Sequence, residues 1–295
     1  MEYQKHKITF NEDNYRAAEA ACRLHNFNSV SELINRALEE WLARNAGQRA
    51  AAVLSQEMVS VIENTILLSD VIGNDISMVG SGPTVEDRTT GQEAFSIIEK
   101  YHIRVPADVI QVLLADTPKT LRNVTHEVIG DIHLMIAKAR QCAERLGYQT
   151  VVLTESLDCE ASEAGRFMAS IARTFSPLKE HIAFILGGET TVHLKGNGKG
   201  GRNQEMALAC ARGIERLENV LFFSVGSDGT DGPTDAAGGI VDGFTVERIR
   251  KNGMDPYKML ENNDAYNALK AAGALVMTGA TGTNVNDLSV LLIRP

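Results

Sequence analysis

The stretch from Gly187 to Asp235 sets two glycine-rich polar loops behind two apolar runs, and few folds accommodate that arrangement. It reads GGETTVHLKGNGKGGRNQE, then a run with helical spacing, then LFFSVGSDGTDGPTD. Short apolar runs bounded by glycine read as buried strands, and a loop that leads straight into a helix gives the alternation of an α/β protein. Gly196, Gly198, Gly200 and Gly201 let the backbone curl round a ligand, because glycine reaches φ > 0 without steric cost. Lys195, Lys199 and Arg202 surround that curl. Arg202 and Asn203 open the helix, where free N–H groups and the macrodipole favour an anion. The second loop carries Asp228, Asp231 and Asp235 among small residues, a set suited to a hard cation or to proton transfer. A loop for anions beside a loop for a metal or a base is a catalytic layout.

Composition narrows the class. A chain of 295 residues with 44% hydrophobic content can bury the core of one large or two ordinary domains. The net charge of −9 argues against general affinity for nucleic acid or anionic membranes, while leaving room for a local basic pocket. Cys22, Cys142, Cys159 and Cys210 lie far apart without a C-x-x-C pair, so neither zinc nor a disulfide framework is indicated. No signal peptide and no apolar run long enough to span a bilayer is found, and a cytoplasmic location is expected.

Residues 1–50 differ from the rest. KHKITF alternates, Glu12–Leu24 has helical spacing, and Ser29-Val30-Ser31-Glu32 is a capping box for a second helix carrying Leu33, Ile34, Ala37, Leu38 and Trp41 on one face. Strand, helix and capped helix in that order resemble a ribbon-helix-helix module, for which a homodimer is expected. Basic and acidic residues balance at seven each in 1–50, which is poor for phosphate contacts and leaves a helical hairpin without nucleic acid as the competing reading.

The α/β part begins with VIENTILLSD, read as a buried strand, followed by a loop that Gly73, Gly80, Gly82 and Pro83 force to turn. Helical runs follow at about 91–101 and 106–115. THEVIG, DIHLMIAKARQCAERLG and YQTVVL read as one β-α-β unit with parallel strands, its helix stopped at Gly147. A helix over about 160–175 leads to the strand-like runs AFILGG and ETTVHL, and Ser176-Pro177-Leu178-Lys179 marks the boundary between two units. Helix 202–217, strand VLFFSVG, short helices over 245–273 and the strands ALVMTG and LSVLLI complete the chain. The expected architecture is α/β: two units with mostly parallel sheets over 61–178 and 180–295, after a helical segment over 1–50.

Gly196–Gly201 formally matches G-x-G-x-x-G between strand and helix, so a dinucleotide site is conceivable, although any glycine-dense loop satisfies the pattern. The cations around it suit direct contact with phosphate or carboxylate better than backbone-held pyrophosphate. No P-loop motif occurs. Asp228, Asp231 and Asp235 stand at i, i+3 and i+7, with Asx-turns as the competing reading, above all for Asp235. Asp70 and Asp75 form a second acidic loop at a strand end, and Asn284 in TGATGTNVND completes a polar wall or serves a turn. His193 reads as structural.

GGETTVHLKGNGKGGRNQE, SDGTDGPTDAAGGIVDG and TGATGTNVNDLSVLLI look like the MOFRL domain of the class II glycerate kinases, a family often labelled hydroxypyruvate reductase. LLSDVIGNDISMVGSGPTVEDRTT resembles the stretch that closes the Rossmann-like first domain of that family, so the similarity runs from about Ile62 to the C-terminus. The resemblance implies ATP-dependent phosphorylation of D-glycerate at its 2-hydroxyl with Mg²⁺. It puts the active-site arginine on Arg202, the first-domain loops on Asp70, Gly73, Ser81 and Thr84, and the aspartate loop on Ser227 to Asp235. The expected substrate and nucleotide site comprises Ser81, Gly82, Thr84, Glu189, Thr190, Gly198, Lys199, Gly200, Gly201, Asn203, Thr230 and Asn284. Arg202, Asp228 and Asp231 are its catalytic candidates, and Asp228, Asp231 and Asp70 its candidates for Mg²⁺. The family also carries an active-site lysine and an S-G-G-G-S-A-type loop. Here the lysines before Asp70 are Lys5 and Lys7 in an unrelated context, and no such loop occurs, so residues 1–50 are expected to replace that half-domain and the rate to suffer. A nicotinamide-dependent hydroxypyruvate reductase and a non-catalytic dimerising or DNA-binding protein are the alternatives.

Overall fold

The computed structural model describes residues 64–122, 124–178 and 180–294. The ribbon-helix-helix-like segment, and with it the expected dimerisation module, lies outside the described residues. The described residues fall into two compact units, one formed by 64–67 with 76–128, the other by 68–75 with 129–294.

In the first unit, strand β1 (Asn64–Leu68) pairs with β2 (Thr125–Gly130) in a two-stranded sheet. The run expected to be a buried strand is partly exposed along β1. Helix α1 (Gly91–Lys100) starts where its residues dictate: Thr90 accepts from the Glu93 N–H, and the Glu93 carboxylate accepts from the Thr90 N–H at 2.7 Å, a reciprocal capping box. Helix α2 (Ala107–Leu113) follows Pro106, which presets the entry to the helix. Both helices fall where the periodicity places them.

The second unit holds a six-stranded sheet. Asp131 caps α3 (Ile132–Arg145) by accepting from the Leu134 N–H at 2.7 Å, and Gly147 leaves the helix at φ +86°, as the sequence requires. Then come β3 (Gln149–Leu157), α4 (Ala161–Phe175), β4 (Ile182–Gly188), α5 (Arg202–Gly213), β5 (Val220–Gly226) and β6 (Gly238–Asp242). Helices α6 (Thr245–Lys251), α7 (Pro256–Glu261) and α8 (Ala265–Ala271) precede β7 (Leu275–Val276) and β8 (Asp287–Ile293). The spatial order is β3-β4-β8-β5-β6-β7.

The α/β class holds, with corrections to strand pairing and boundary. β3, β4, β5 and β7 share one direction, but only β3 and β4 are hydrogen-bonded neighbours; β8 and β6 run against them, so the other ladders are antiparallel. The expected β-α-β unit across α3 does not form a parallel pair, because β2 pairs with β1 and β3 with β4. The parallel pair is joined through α4 instead. The boundary expected at 176–179 therefore falls inside one sheet, whose strands β3 and β4 pair on either side of it. ETTVHL makes only a single bridge, between Thr191 and Glu160, and β6 is a strand that the sequence reading did not mark.

Every residue of β4 is buried because both faces are covered. Phe184 and Leu186 join Met168, Met206, Leu208, Phe222 and Leu291 in the main core under α4 and α5, while Ile185 and Val290 pack under Ile132 and Ile136 of α3. Helices α4 and α5 lie unusually close: a Cβ on Gly165 would fall 2.2 Å from the Met206 carbonyl oxygen. Among the described residues, no helix is long and apolar enough to cross a membrane.

Candidate active site

Sheet register creates the site. β8 runs antiparallel between β4 and β5, so its first residue, Asp287, stands opposite both Gly188 and Gly226 at the carboxyl ends of those strands. That edge is where α/β sheets gather ligands. Helix α5 starts beside it.

The Asp287 carboxylate, buried at 7% side-chain exposure, grips Arg202 on two nitrogens: Nε donates to Oδ2 at 2.6 Å and Nη2 to Oδ1 at 3.0 Å. The third nitrogen, Nη1, meets Glu189 Oε1 at 3.0 Å. Glu189 is exposed, and its other oxygen accepts from Asn286 Nδ2 at 3.2 Å. Burial works against the Arg202 charge, but Asp287, then Glu189 and Asp231, hold the guanidinium protonated above its ordinary range. Asn286 is buried at φ +69°, and its Oδ1 has no hydrogen-bond partner. Asp287 and Asn286 were not among the residues expected from sequence. The available signal was weak: a polar pair immediately before the apolar run of β8.

The start of α5 departs from expectation. Two of its free N–H groups, those of Asn203 and Gln204, read as a seat for a ligand anion, are taken by Asp231. Oδ1 of Asp231 accepts from the Asn203 N–H at 3.1 Å and Asn203 Nδ2 at 3.3 Å; Oδ2 accepts from the Gln204 N–H and from Gln204 Nε2, both at 2.9 Å. Burial pushes the Asp231 carboxyl up to about 6, against the downward pull of those donors. It is 3% exposed and acts as the cap of α5, so its expected role in metal binding or proton transfer does not match its position. Asn203 is buried with it, linked through Ser224 (2.6 Å) to Ser289 (2.8 Å) inside the sheet.

The first part of the glycine loop, residues 195–199, is likewise satisfied internally. The N–H groups of Lys195 and Gly196 donate to Asn263 Oδ1 (2.7 and 3.1 Å), that of Asn197 to Asn262 Oδ1 (3.1 Å), that of Gly198 to the Asn262 carbonyl (2.9 Å) and that of Lys199 to Asp264 Oδ1 (2.9 Å). Gly196, Gly198, Gly200 and Gly201 are not among the glycines with positive φ. Close approach is what requires three of them: a Cβ would fall 2.4 Å from the Asn262 oxygens at Gly196, 2.4 Å from Asp264 Cβ at Gly198 and 2.3 Å from Asp231 Cγ at Gly201. The loop thus lies along the α7–α8 turn. Lys199 stays exposed, its Nζ 4.2 Å above the Tyr266 ring. Asn263 also donates to Glu205 (3.0 Å), whose carboxyl burial pushes up.

Asp228 is half-buried, with Oδ1 and Oδ2 accepting from the N–H and hydroxyl of Thr230, each at 2.9 Å. Asn284 joins two expected elements: its Nδ2 donates to Asp70 Oδ2 at 3.1 Å, and its Oδ1 accepts from the Asn286 N–H at 3.1 Å. Thr190 is buried beside Gly187, Gly188 and Asn203. Asp235 accepts from the Tyr266 hydroxyl at 2.7 Å, and His193 pairs with Glu160. Ser81, Gly82 and Thr84 belong to the first unit, where Ser81 closes a 3₁₀ turn at φ +67° and Gly82 follows at φ +58°. Thr84 is buried there, its carbonyl 2.9 Å from His126 Nε2. Among the described residues, no group of three or more His, Cys, Asp or Glu side chains is placed to hold a metal ion.

A carboxylate-braced arginine thus stands at the edge where α/β sheets gather ligands, and comparison with known proteins supplies the family. Residues 182–287 match the MOFRL family, and residues 39–114 match a domain of unknown function, DUF4147. The D-glycerate 2-kinase of Thermotoga maritima is 48% identical over 251 residues, which is 84% of this chain and 59% of that protein. The glycerate kinase of Macaca fascicularis is 33% identical across 84% of this chain and 75% of its own. A crystal structure of glycerate kinase from Thermotoga maritima matches with a TM-score of 0.76 at 43% identity, covering 90% of this chain and 68% of that one. The chain belongs to the glycerate kinase family, and it spans about three fifths of the length of the Thermotoga relative.

Proposed function

We propose that the chain is a phosphotransferase of the glycerate 2-kinase type, transferring the γ-phosphoryl group of ATP to the 2-hydroxyl of D-glycerate. The observation that carries this reading is the divided guanidinium of Arg202. One edge is fixed by buried Asp287, whereas Nη1 meets only the exposed carboxylate of Glu189. A glycerate carboxylate or a phosphate oxygen is a chemical equivalent of Glu189 and can take its place without disturbing Asp287.

In the transfer, the 2-hydroxyl oxygen bonds to the γ-phosphorus as the bond to the β,γ-bridging oxygen breaks, and ADP leaves with that electron pair. Catalysis of such a step is mainly positioning and charge stabilisation. Arg202 supplies fixed positive charge. Half-buried Asp228 is the acceptor for the hydroxyl proton or a ligand for Mg²⁺, with exposed Asp70 as a second oxygen donor. Enclosed Asp231 fits neither role. Mg²⁺ keeps several waters and phosphate oxygens of its own, so one or two protein carboxylates suit it, and it would neutralise phosphate charge. Lys199 remains available for a phosphate at the rim.

Two assays on one preparation test the proposal. ADP release should depend on D-glycerate and Mg²⁺ and fall sharply in Arg202→Gln, since removing one charge-stabilising donor typically costs about 10²–10³-fold. Oxidation of NADH or NADPH by hydroxypyruvate, or ADP release indifferent to glycerate and to Arg202, would overturn it.

A further inference from the structure

At the other end of α5 from Arg202, about 15 Å along the helix, α4, α5 and α7 line an open groove of about 470 Å³. That volume lies within the range of small-molecule sites, about 300–1,000 Å³. Its charged lining is three arginines, Arg166 and Arg173 of α4 and Arg212 of α5, against one carboxylate, Glu163. On a chain of net charge −9, this is a concentrated positive patch. Two aromatic rings flank it, Phe167 and Tyr257, exposed at 60% and 45%.

The arginines are not equivalent. Arg166 pairs with Glu163 at 2.8 Å, an exposed i,i+3 pair worth little. Arg173 donates to the Gly213 carbonyl at 2.8 Å and so serves the C-terminus of α5. Arg212 has no such employment for its Nε, which is buried without a hydrogen-bond partner, while its guanidinium lies 3.7 Å from the centre of the Tyr257 ring. That nitrogen has no exposed surface, so Arg212 lines the groove through the rest of its side chain. Guanidinium groups recognise phosphate with directional, charge-assisted bonds, and flat rings beside them stack on an aromatic base.

We propose that this groove binds a nucleoside phosphate, its phosphate on Arg212 and Arg173 and its base against Phe167 and Tyr257. The site lies apart from Arg202 and does not depend on the kinase reading.

Calorimetric titration of the full chain with AMP tests it, with adenosine and inorganic phosphate as controls that each carry half of the required chemistry. AMP should bind saturably, at least tenfold more tightly than either control. Arg212→Gln should weaken AMP at least tenfold. Arg166→Gln and Phe167→Ala, both at exposed positions that leave the core intact, should each weaken it about threefold or more, which keeps the test decisive even if Arg212→Gln fails to fold. Arg202→Gln should leave AMP affinity within twofold. Absence of saturable AMP binding would overturn the proposal, as would phosphate binding equal to AMP, or AMP binding that ignores the three groove variants.

Discussion

Replacing Asp287 by Asn probes the arrangement on which the Arg202 reading depends. The change preserves side-chain size but leaves one acceptor oxygen where two now bind Nε and Nη2 at 2.6 and 3.0 Å, and it turns an amide NH₂ toward a guanidinium. Removing one partner of a fully buried ion pair costs about 3–5 kcal/mol. Arg202 keeps 33% side-chain exposure and retains Glu189, so solvent and the remaining carboxylate reduce the loss to about 2–3 kcal/mol. For a domain of this size each kcal/mol lowers Tm by about 2–4 °C, so a fall of about 4–12 °C is expected. With its anchored edge released, the guanidinium can turn wholly onto Glu189, and D-glycerate affinity should drop about tenfold, or 1.4 kcal/mol. Thermal melting and calorimetric titration measure both effects. The decisive comparison is the same substitution made in an Arg202→Gln background, where Asp287 no longer has a charge to brace and the added cost should be under about 1 kcal/mol. Equal losses in the two backgrounds would refute the claim that these side chains act as one unit.

Further outcomes follow from the same geometry. Arg202→Lys keeps the charge but loses the planar fork, and should weaken D-glycerate or ATP-analogue binding by about 1–3 kcal/mol in calorimetry. Gly201→Ala would set a Cβ 2.3 Å from Asp231 Cγ and should cost about 1–3 kcal/mol in urea unfolding, whereas Gly200→Ala, whose nearest neighbour is at 3.4 Å, should cost less than about 1 kcal/mol. Burial raises Asp231 from 3.8 to about 6, so its contribution to stability is fully present below about pH 4 and is lost as pH rises through about 6. The stability of the parent minus that of Asp231→Asn should therefore fall by about 2 kcal/mol between pH 4 and pH 6.5 in denaturant titrations, and a flat difference would sink the assignment.

What could be read from the chain, and what could not, divides along the range of the interactions. Helices α1, α3 and α4 fall where expected because their apolar period and stop signals, such as Gly147 at φ +86°, are local. Strand direction is not local. The apolar run of β4 looks the same whether its neighbour is parallel β3 or antiparallel β8, and inserting β8 between β4 and β5 is decided by the last residues of the chain. Asp287 escaped notice for the same reason, since its partner Arg202 is 85 residues away. Asp231 was noticed but misplaced, because an aspartate in a turn-rich loop reads alike whether it meets a ligand or caps a helix 28 residues upstream. The glycines of the 196–201 loop were likewise read through one of glycine's two uses, positive φ, when close approach to Asn262, Asp264 and Asp231 was the operative one.

These corrections reduce the backbone's share in recognition. With the Asn203 and Gln204 N–H groups bonded to Asp231 and those of residues 195–199 to Asn262, Asn263 and Asp264, the proposed reading rests a ligand anion near α5 chiefly on Arg202 and on whatever yields to it. Glu189 is the group placed to yield, being exposed and attached to Asn286 by one bond of 3.2 Å. In the proposed reading, binding of D-glycerate there exchanges one carboxylate for another. That makes affinity depend on how firmly Glu189 is held, while Asp287 fixes where the incoming anion must sit.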